Sequence, residues 1–499
     1  MTIALRAALA FALLAGFYVL VGLVLAAAVF FDVYLFVDLH GRGVQLAALF
    51  TLAAAALVRA LWMVSKKMGG EEPGVVVDRS REPVLWRTVE ELAQRVRTAP
   101  PDEIRLVAEV NAAVAEDTRL LGLRATRRRM YIGLPLLSVL TVDELRAVLG
   151  HELGHYSGAH TRLGAPVYRG RVALLTTVEH LGRHPILRRV FVAYAKVYLR
   201  VSLAVSRRQE LEADQMAVAI AGRAAMGQAL DKIEFTALGW RMYMDSYMSM
   251  SGAGGNRPGQ VMSGFQAMMA EPARRAELAT AAREPAETSP YDSHPSLAER
   301  RAAIAALPDP PHAPDRRPAT ALLADPAVAA GAVENTIWSP QALTGLRPVS
   351  WDDMVASGMY ELRNAEALHD LSVAGQRVMG TPLPYLDAAF EALARGQVTA
   401  LERELLQLGW KPSPTLVGGV LGQALEAVLI RHGEARWRLS WSGPARLFYT
   451  DGEEVSLTHY AAKVASDPSS VPGLRSWLAE LGVAPDFTPP ADRPTAPVA

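Results

Sequence analysis

The N-terminal segment is the feature that most restricts how this chain can fold. From Ala7 to Phe31 it reads AALAFALLAGFYVLVGLVLAAAVFF and contains no charged residue. About 20 apolar residues are enough for a helix to cross a bilayer, and helices in soluble cores rarely remain apolar for so long. The stretch is too long for the core of a signal peptide, and no small-residue cleavage site ends it. We therefore expect a membrane-spanning helix.

A second apolar stretch covers residues 44–65 and is interrupted only by Arg59, which lies near its end and can reach the interface. Residues 1–66 thus predict a transmembrane hairpin that contacts the lipid bilayer through residues 7–65. A basic residue precedes the first span and two lysines follow the second. The positive-inside rule then places both ends, and everything after residue 66, in the cytoplasm. A buried hairpin in a soluble core is the alternative.

Composition excludes several classes of function. The 51 basic and 51 acidic residues balance, so the chain has no net positive charge that would attract nucleic acid. We therefore expect no nucleic-acid partner. The chain has no cysteine, which excludes disulfides, thiolate ligands and cysteine nucleophiles. Any metal must therefore be held by nitrogen and oxygen. Most basic residues are arginine and alanine is abundant, a bias typical of a GC-rich bacterial genome.

The stretch GHELGHYSGAH contains the strongest chemical motif. His151 and His155 are four residues apart and share one face of a helix, where two imidazoles can hold one metal ion. Glu152 is rotated about 100° from His151, so it is placed to contact the attacking water instead of the metal. Thr141 and Glu144 form a capping-box pattern at the start of this helix. This is the H-E-x-x-H pattern typical of zinc peptidases.

A third ligand must come from elsewhere in the chain. One known scheme places a histidine six residues after the second, but that position is Thr161, and His160 is one residue early. The other scheme uses a glutamate from a later helix, and Glu210 in SRRQELEAD is the candidate. Asp214 lies on the same face and can accept the second N–H of a ligating histidine, whereas Glu212 points away. The alternative is a solvated face paired with neighbouring arginines.

Three segments together, GHELGHYSGAH, SRRQELEAD and YDSHPSLAERRAAI, resemble the signatures of the HtpX-type membrane zinc metallopeptidases, a family that includes the CAAX prenyl proteases. The resemblance covers about residues 1–305 and implies a gluzincin-type endopeptidase that binds one Zn²⁺. It implies that His151, His155 and Glu210 are the zinc ligands and Glu152 the general base. Family members often have further membrane spans between the zinc helices, but here that stretch is highly charged.

The resemblance also draws attention to two further positions. His294 matches a family histidine near the site, where an imidazole N–H could stabilise a developing oxyanion. The alternative is that His294 only caps the helix that begins near Pro295. Asn111 and Ala112 match a family segment beside the cleft, where a strand edge can pair with an extended peptide. A plain turn is the alternative there.

We predict a mainly α (α+β) fold, with strands within IRLVAEVNAAVAE and RRMYIGLPLL. The alternating stretch ARWRLSWSGPARLFYTDGEEVSL predicts a β-hairpin. Residues 165–205 predict an amphipathic helical pair packed on the domain or on the membrane surface. Residues 251–290 predict a mobile loop, whose methionines serve either core packing or an apolar lid. The predicted domains are a transmembrane hairpin at 1–66, a zinc metallopeptidase domain at 67–305, a Pro/Ala-rich linker at 306–340 and a C-terminal α+β accessory domain at 341–499.

These features together predict a membrane-anchored zinc endopeptidase of the bacterial inner membrane, multi-pass, with its catalytic domain in the cytoplasm. By family analogy its substrates are polypeptides, including misfolded and membrane proteins. Two other functions remain open. The peptidase domain could be a dispensable scaffold that binds partners, or the site could belong to a non-peptidase zinc hydrolase acting on a small amide or lipid.

Overall fold

The structure is a computed structural model, and two compact units divide the chain. The first consists of Met1–Ala237 with Glu284–Thr336, and the second of Leu238–Arg283 with Ile337–Ala499. Helices predominate over small sheets, which confirms the mainly α class. The residues described are 3–37, 51, 54–55, 58–59, 72–119, 124–157, 171, 174–175, 177–179, 185–282, 295–311, 313–383, 385–484 and 487.

Helix α1 (Ile3–Val37) contains the first predicted span. Among the described residues it is the one helix long and apolar enough to cross a membrane, over Ala8–Tyr34. One face of α1 is buried against helical residues from later in the same unit. The second predicted span, 44–65, lies outside the described residues apart from isolated positions. The buried contacts on α1 are Ala10, Leu14, Phe17 and Val21, and they meet Leu174, Phe191, Ala195 and Tyr198.

A four-stranded sheet of order β1-β2-β4-β3 forms one wall of the first unit. β2 runs parallel to β4, while β3 runs antiparallel to β4 and lies at the edge of the sheet. Helix α2 (Pro83–Arg95) presents its apolar face to the core, as its periodicity predicts. The strands are β1 (Val75–Val76), β2 (Glu103–Val107), β3 (Ala112–Arg119) and β4 (Arg124–Gly133).

The predicted strand limits were wrong at two places. IRLVAEVNAAVAE is not one strand, because the chain reverses at 108–111 so that β2 and β3 can flank β4 in opposite directions. RRMYIGLPLL is a strand only as far as Gly133, and α3 (Leu134–Val139) follows. Pro135 explains this second change, since it lacks an N–H for the ladder but fits the first turn of a helix.

Two further helices follow, of which the first and most of the second belong to the first unit. α4 (Val142–Gly154) starts with the predicted capping box at Thr141 and Glu144. α5 spans Pro185–Ser246 and is divided by Gly222, whose φ of 86° is a conformation that other residues rarely adopt. Phe191, Ala195 and Tyr198, in the N-terminal part of α5, pack against α1.

The predicted linker at 306–340 has defined structure and belongs largely to the first unit. The backbone N–H of Val142 donates to the carbonyl of Arg317 at 2.8 Å, and that of Ala319 donates to the carbonyl of Leu140 at 2.8 Å. These bonds satisfy backbone groups at the start of α4. Composition could not indicate this, because a proline-rich segment that docks by its backbone resembles a free linker. Helix α8 (Leu297–Ala305) precedes this segment, and helix α9 (Pro326–Asn335) lies within it.

We expect Asp143→Ala to lower the stability of the first unit by about 1–3 kcal/mol, because its carboxylate accepts the backbone N–H of Asp315 at 2.6 Å. Thermal unfolding followed by circular dichroism measures this. Asp315→Ala is the control: it keeps the backbone bonds between Asp315 and Asp143. It removes only exposed contacts of the Asp315 carboxylate with the side chain and backbone N–H of Arg317, so stability should change much less. Equal losses in the two variants would contradict the docking role.

The second unit has a helical core of its own. Leu421, Leu425 and Val428, from the helix at Leu416–Arg431, are fully buried in this core. β5 (Asn256–Pro258) pairs with β6 (Arg347–Val349), and β7 (Ala435–Arg438) with β8 (Arg446–Tyr449) as the predicted hairpin. The helices are α6 (Val261–Ala270), α7 (Pro272–Ala281), α10 (Pro340–Gly345), α11 (Trp351–Met359), α12 (Glu366–Met379), α13 (Leu386–Ala394), α14 (Val398–Gln407), α15 (Leu416–Arg431), α16 (Thr458–Ser466) and α17 (Val471–Glu480).

The prediction of a mobile loop at 251–290 was wrong for the part that the structure describes. Residues 251–282 contain β5, α6 and α7. Met248, Met250, Met262 and Met268 are buried, which favours core packing over a lid. The Gly and small polar residues had suggested mobility, but Gly252, Gly254 and Gly255 form a tight turn before β5, and Gly264 lies within α6.

Candidate metal centre

The end of α4 supplies two imidazoles that face the same point. His151 lies in the last turn of α4 and is buried, while His155 follows at its C-terminal cap and is partly exposed. Their Nε2 atoms are 3.2 Å apart. The spacing of four residues predicted that both rings would lie on one face of the helix, and the structure confirms that they do.

α5 brings the predicted carboxylate to the same point. Glu210 Oε2 lies 3.5 Å from His151 Nε2, and Glu210 Oε1 lies 3.5 Å from His155 Nε2. Glu210 is only 6% exposed, so the alternative of a solvated helix face is wrong. Glu212 pairs instead with Arg208 on the other side of the helix, as expected from its position.

Two glycines allow the two helices to approach closely enough for this contact. A Cβ on Gly150 would lie 2.6 Å from Ile220 Cδ1. A Cβ on Gly154 would lie 3.4 Å from Ala213 Cα. Both glycines are buried on the face of α4 that meets α5. A side chain at either position would press on residues of α5, so the two glycines favour the close approach that brings Glu210 to the imidazoles.

The donor set fits a small divalent metal ion. One ligand atom from each of His151, His155 and Glu210 lies within 4.8 Å of the other two. Ligands held at 2.0–2.1 Å in tetrahedral geometry are roughly 3.3–3.4 Å apart, close to the three separations seen here. Two imidazoles and one carboxylate leave a fourth position for solvent or substrate. The cluster could therefore bind a metal ion.

A second carboxylate orients one of these imidazoles. Asp214 Oδ1 lies 3.0 Å from His151 Nδ1, so it can accept that N–H and leave the Nε2 lone pair directed at the cluster. Asp214 is 1% exposed, and Arg300 of α8 holds it through both carboxylate oxygens, at 2.9 Å and 2.6 Å. Arg300 Nη1 also lies 3.9 Å from Glu210. Arg300 of α8 is thus linked to the His151 imidazole through Asp214.

The pKa values of His151 and Asp214 are shifted because several charged groups lie close together. Burial opposes protonation of His151, but contacts with Asp214 and Glu210 raise its pKa to about 9. Burial also disfavours the charged form of Asp214, yet the bonds from His151 and Arg300 hold its pKa below the usual value. The cluster therefore attracts positive charge, and a metal ion would compete with a proton there.

The remaining predicted positions have different outcomes. Glu152 follows His151 on α4 and is partly exposed, beside the cluster. His294 lies outside the described residues, as do His160 and Thr161. The cap of α8 is Ser296, through a capping box with Glu299, so the role of helix cap belongs to that serine.

Sequence reasoning did not assign a role to Arg300. It lies within the quoted segment YDSHPSLAERRAAI, immediately before Arg301, which pairs with Asp231 at the surface. The signal available was two adjacent arginines on a helix near a carboxylate motif. Only the rotation of α8 against α5 decides which of the two is buried at Asp214.

Comparisons with known proteins agree with this geometry. Residues 79–307 match the family described as Peptidase family M48. The chain is 35% identical over 83 residues to Protease HtpX homolog 1 of Saccharolobus solfataricus, covering 17% of this chain and 25% of that protein. It is 26% identical over 179 residues to Protease HtpX homolog of Nostoc sp., covering 32% and 60%. No solved structure matches the chain.

One buried and one partly exposed imidazole, together with a buried carboxylate held between two helices, form a candidate metal centre of the kind found in metallopeptidases. Residues 79–307 match Peptidase family M48, and the chain is similar to two HtpX-type proteases. It spans only 25% and 60% of the lengths of the two relatives it matches.

Proposed function

We propose that this protein is a membrane-anchored, zinc-dependent endopeptidase. The observation that carries the proposal is the convergence of His151, His155 and Glu210 within 4.8 Å of one another. Imidazole suits zinc well, and a chain without cysteine offers no softer ligand. When bound, zinc supplies Lewis acidity to the scissile carbonyl.

The side chains of the site have distinct roles in this proposal. Glu152 takes a proton from the attacking water and delivers it to the leaving nitrogen. Asp214 keeps the His151 ring in one tautomer and orientation, because its carboxylate, 3.0 Å away, can accept a hydrogen bond from Nδ1–H. Arg300 fixes Asp214 by a two-point contact.

The edge of the sheet supports an extended polypeptide as substrate over a small amide or lipid. β3 lies at the end of the strand order and starts at Ala112, directly after Asn111. Tyr156, just beyond α4, donates its hydroxyl to the carbonyl of Val114 at 2.5 Å, so this strand is tied to the helix of the site. An extended peptide added at such an edge would run past the cluster.

The surface of α1 supports membrane anchoring. Leu23 is 63% exposed and Phe30 65%, although both are strongly apolar. A bilayer would cover this surface. The opposite face is buried against other helices of the unit, which a cleaved signal peptide would leave uncovered. We further propose a bacterial inner-membrane location, a catalytic domain in the cytoplasm, and substrates among misfolded and membrane proteins.

Metal analysis combined with casein cleavage tests this function. We expect one zinc ion per chain, complete loss of cleavage after treatment with a chelator, and recovery when zinc is added back. A magnesium add-back serves as the control and should not restore cleavage. Undiminished cleavage by metal-free protein would overturn the proposal, and hydrolysis of small esters or amides without casein cleavage would favour the non-peptidase alternative.

A further inference from the structure

The second unit contains an open cleft of about 640 Å³ beside α15, which we term the α15 cleft. Its floor is apolar and includes buried Val420, while Trp410 forms part of a wall. Glu366 places an acidic group in the lining and Lys411 places a basic one. The volume is in the range of ligand sites in proteins.

Glycine in the floor keeps this cleft open. α15 contains three glycines, and packing explains one of them, because a Cβ on Gly418 would lie 3.0 Å from Ala462 Cα. A Cβ on Gly422 would make an ordinary contact at 3.5 Å with Ala461 Cβ. A Cβ on Gly419 would meet nothing within 4 Å. Glycine weakens a helix interior, so the packing of the unit gives no reason for it at this position. Gly419 lines the cleft.

Two residues that line the cleft are hydrogen-bonded to buried polar side chains beneath it. The indole N–H of Trp410 donates to Asp370 at 2.9 Å, and Asp370 is fully buried. The amide of Asn364, also fully buried, donates to the backbone carbonyl of Gln423 in the lining at 3.1 Å. Asn364 belongs to a π-helical segment, Tyr360–Ala365. Such segments occur frequently at functional sites, and buried polar networks fix geometry at the expense of apolar packing.

The shape and charge of the cleft indicate the class of ligand. Lys411 and Thr415 on its rim are exposed, so a bound molecule could continue beyond the cleft at this side. Sites for small metabolites usually enclose most of the ligand surface. An apolar floor with one charge of each sign is complementary to a segment in which an apolar residue stands between basic and acidic ones.

We propose that the α15 cleft binds an extended polypeptide segment, with an apolar side chain over Gly419 and a basic side chain against Glu366. This inference rests on the proposed function, because the bound segment would be part of a polypeptide substrate. The second unit would then recruit the substrate and retain it independently of cleavage.

Fluorescence anisotropy with the full-length protein tests this site. The probe is a fluorescein-labelled octapeptide with two leucines between lysines and glutamates, and the protein carries Glu152→Gln so that the probe stays intact. We expect Gly419→Met to weaken binding about tenfold or more, because its side chain fills the floor. Gly473→Met is the control, since that helical glycine also meets open space but does not line the cleft.

Two further measurements keep the proposal open to refutation. Glu366→Gln preserves shape and should weaken the probe severalfold, and replacing the leucines of the probe by serines should abolish binding. Equal affinities for Gly419→Met and Gly473→Met would overturn the proposed site, whatever the casein assay shows. Loss of casein cleavage in the parent protein, with binding still sensitive to Gly419→Met, would count against the proposed function but support the cleft.

Discussion

Glu152→Gln is expected to retain one zinc ion per chain and to reduce casein cleavage by about 10²–10⁴-fold, because an amide cannot take up the proton of the attacking water. The ligand set of His151, His155 and Glu210 remains intact in this variant. Elemental analysis and initial cleavage rates on the same preparation measure the two quantities together.

A matched carboxylate elsewhere on the site helices provides the control. Glu212→Gln removes a charge that pairs with Arg208, outside the cluster, and should leave both zinc content and rate close to those of the parent protein. Normal cleavage by Glu152→Gln would show that another group is the base. Normal cellular function of a Glu152→Gln strain would favour the scaffold alternative.

Arg300→Met is expected to lower the affinity for zinc by about 10–100-fold. The variant removes both hydrogen bonds to Asp214, which would then be a buried carboxylate that holds His151 less firmly. Competition with a fluorescent chelator measures the affinity directly and does not depend on catalysis.

The neighbouring arginine and a conservative replacement make this test specific. Arg301→Met removes an exposed pair with Asp231 and should leave the affinity for zinc unchanged. Arg300→Lys keeps the positive charge but lacks the planar guanidinium that contacts both oxygens of Asp214. We therefore expect its affinity for zinc to lie between those of Arg300→Met and the parent protein. If Arg300→Met binds zinc as tightly as Arg301→Met, the connection from α8 to the metal centre has no role in metal binding.

The motifs that were predicted well are those in which the determining contacts are local. Thr141 and Glu144 form their capping box within one turn. His151 and His155 are four residues apart, so they share one face of any helix. The hairpin of β7 and β8 was predicted for the same reason, since strand alternation is also a local signal.

The predictions that failed depend on packing between distant parts of the chain. Nothing local distinguishes a proline-rich linker from the segment at 306–340, whose backbone satisfies groups at the start of α4. The strand reversal at 108–111 follows from how β2 and β3 flank β4. The residues at 251–282 form helices and a strand in the second unit, although their composition had suggested mobility.

The sequence by itself determined which groups could bind a metal: two imidazoles at helical spacing, a later Glu–Asp pair, and no thiolate. The tertiary structure decided that these groups meet, through the close approach at Gly150 and Gly154, and that Arg300 instead of Arg301 supports them. The physical reason is the distance along the chain over which each kind of interaction acts. Helical periodicity acts over a few residues, whereas the distance between α4 and α5 and the rotation of α8 depend on the packing of the whole unit.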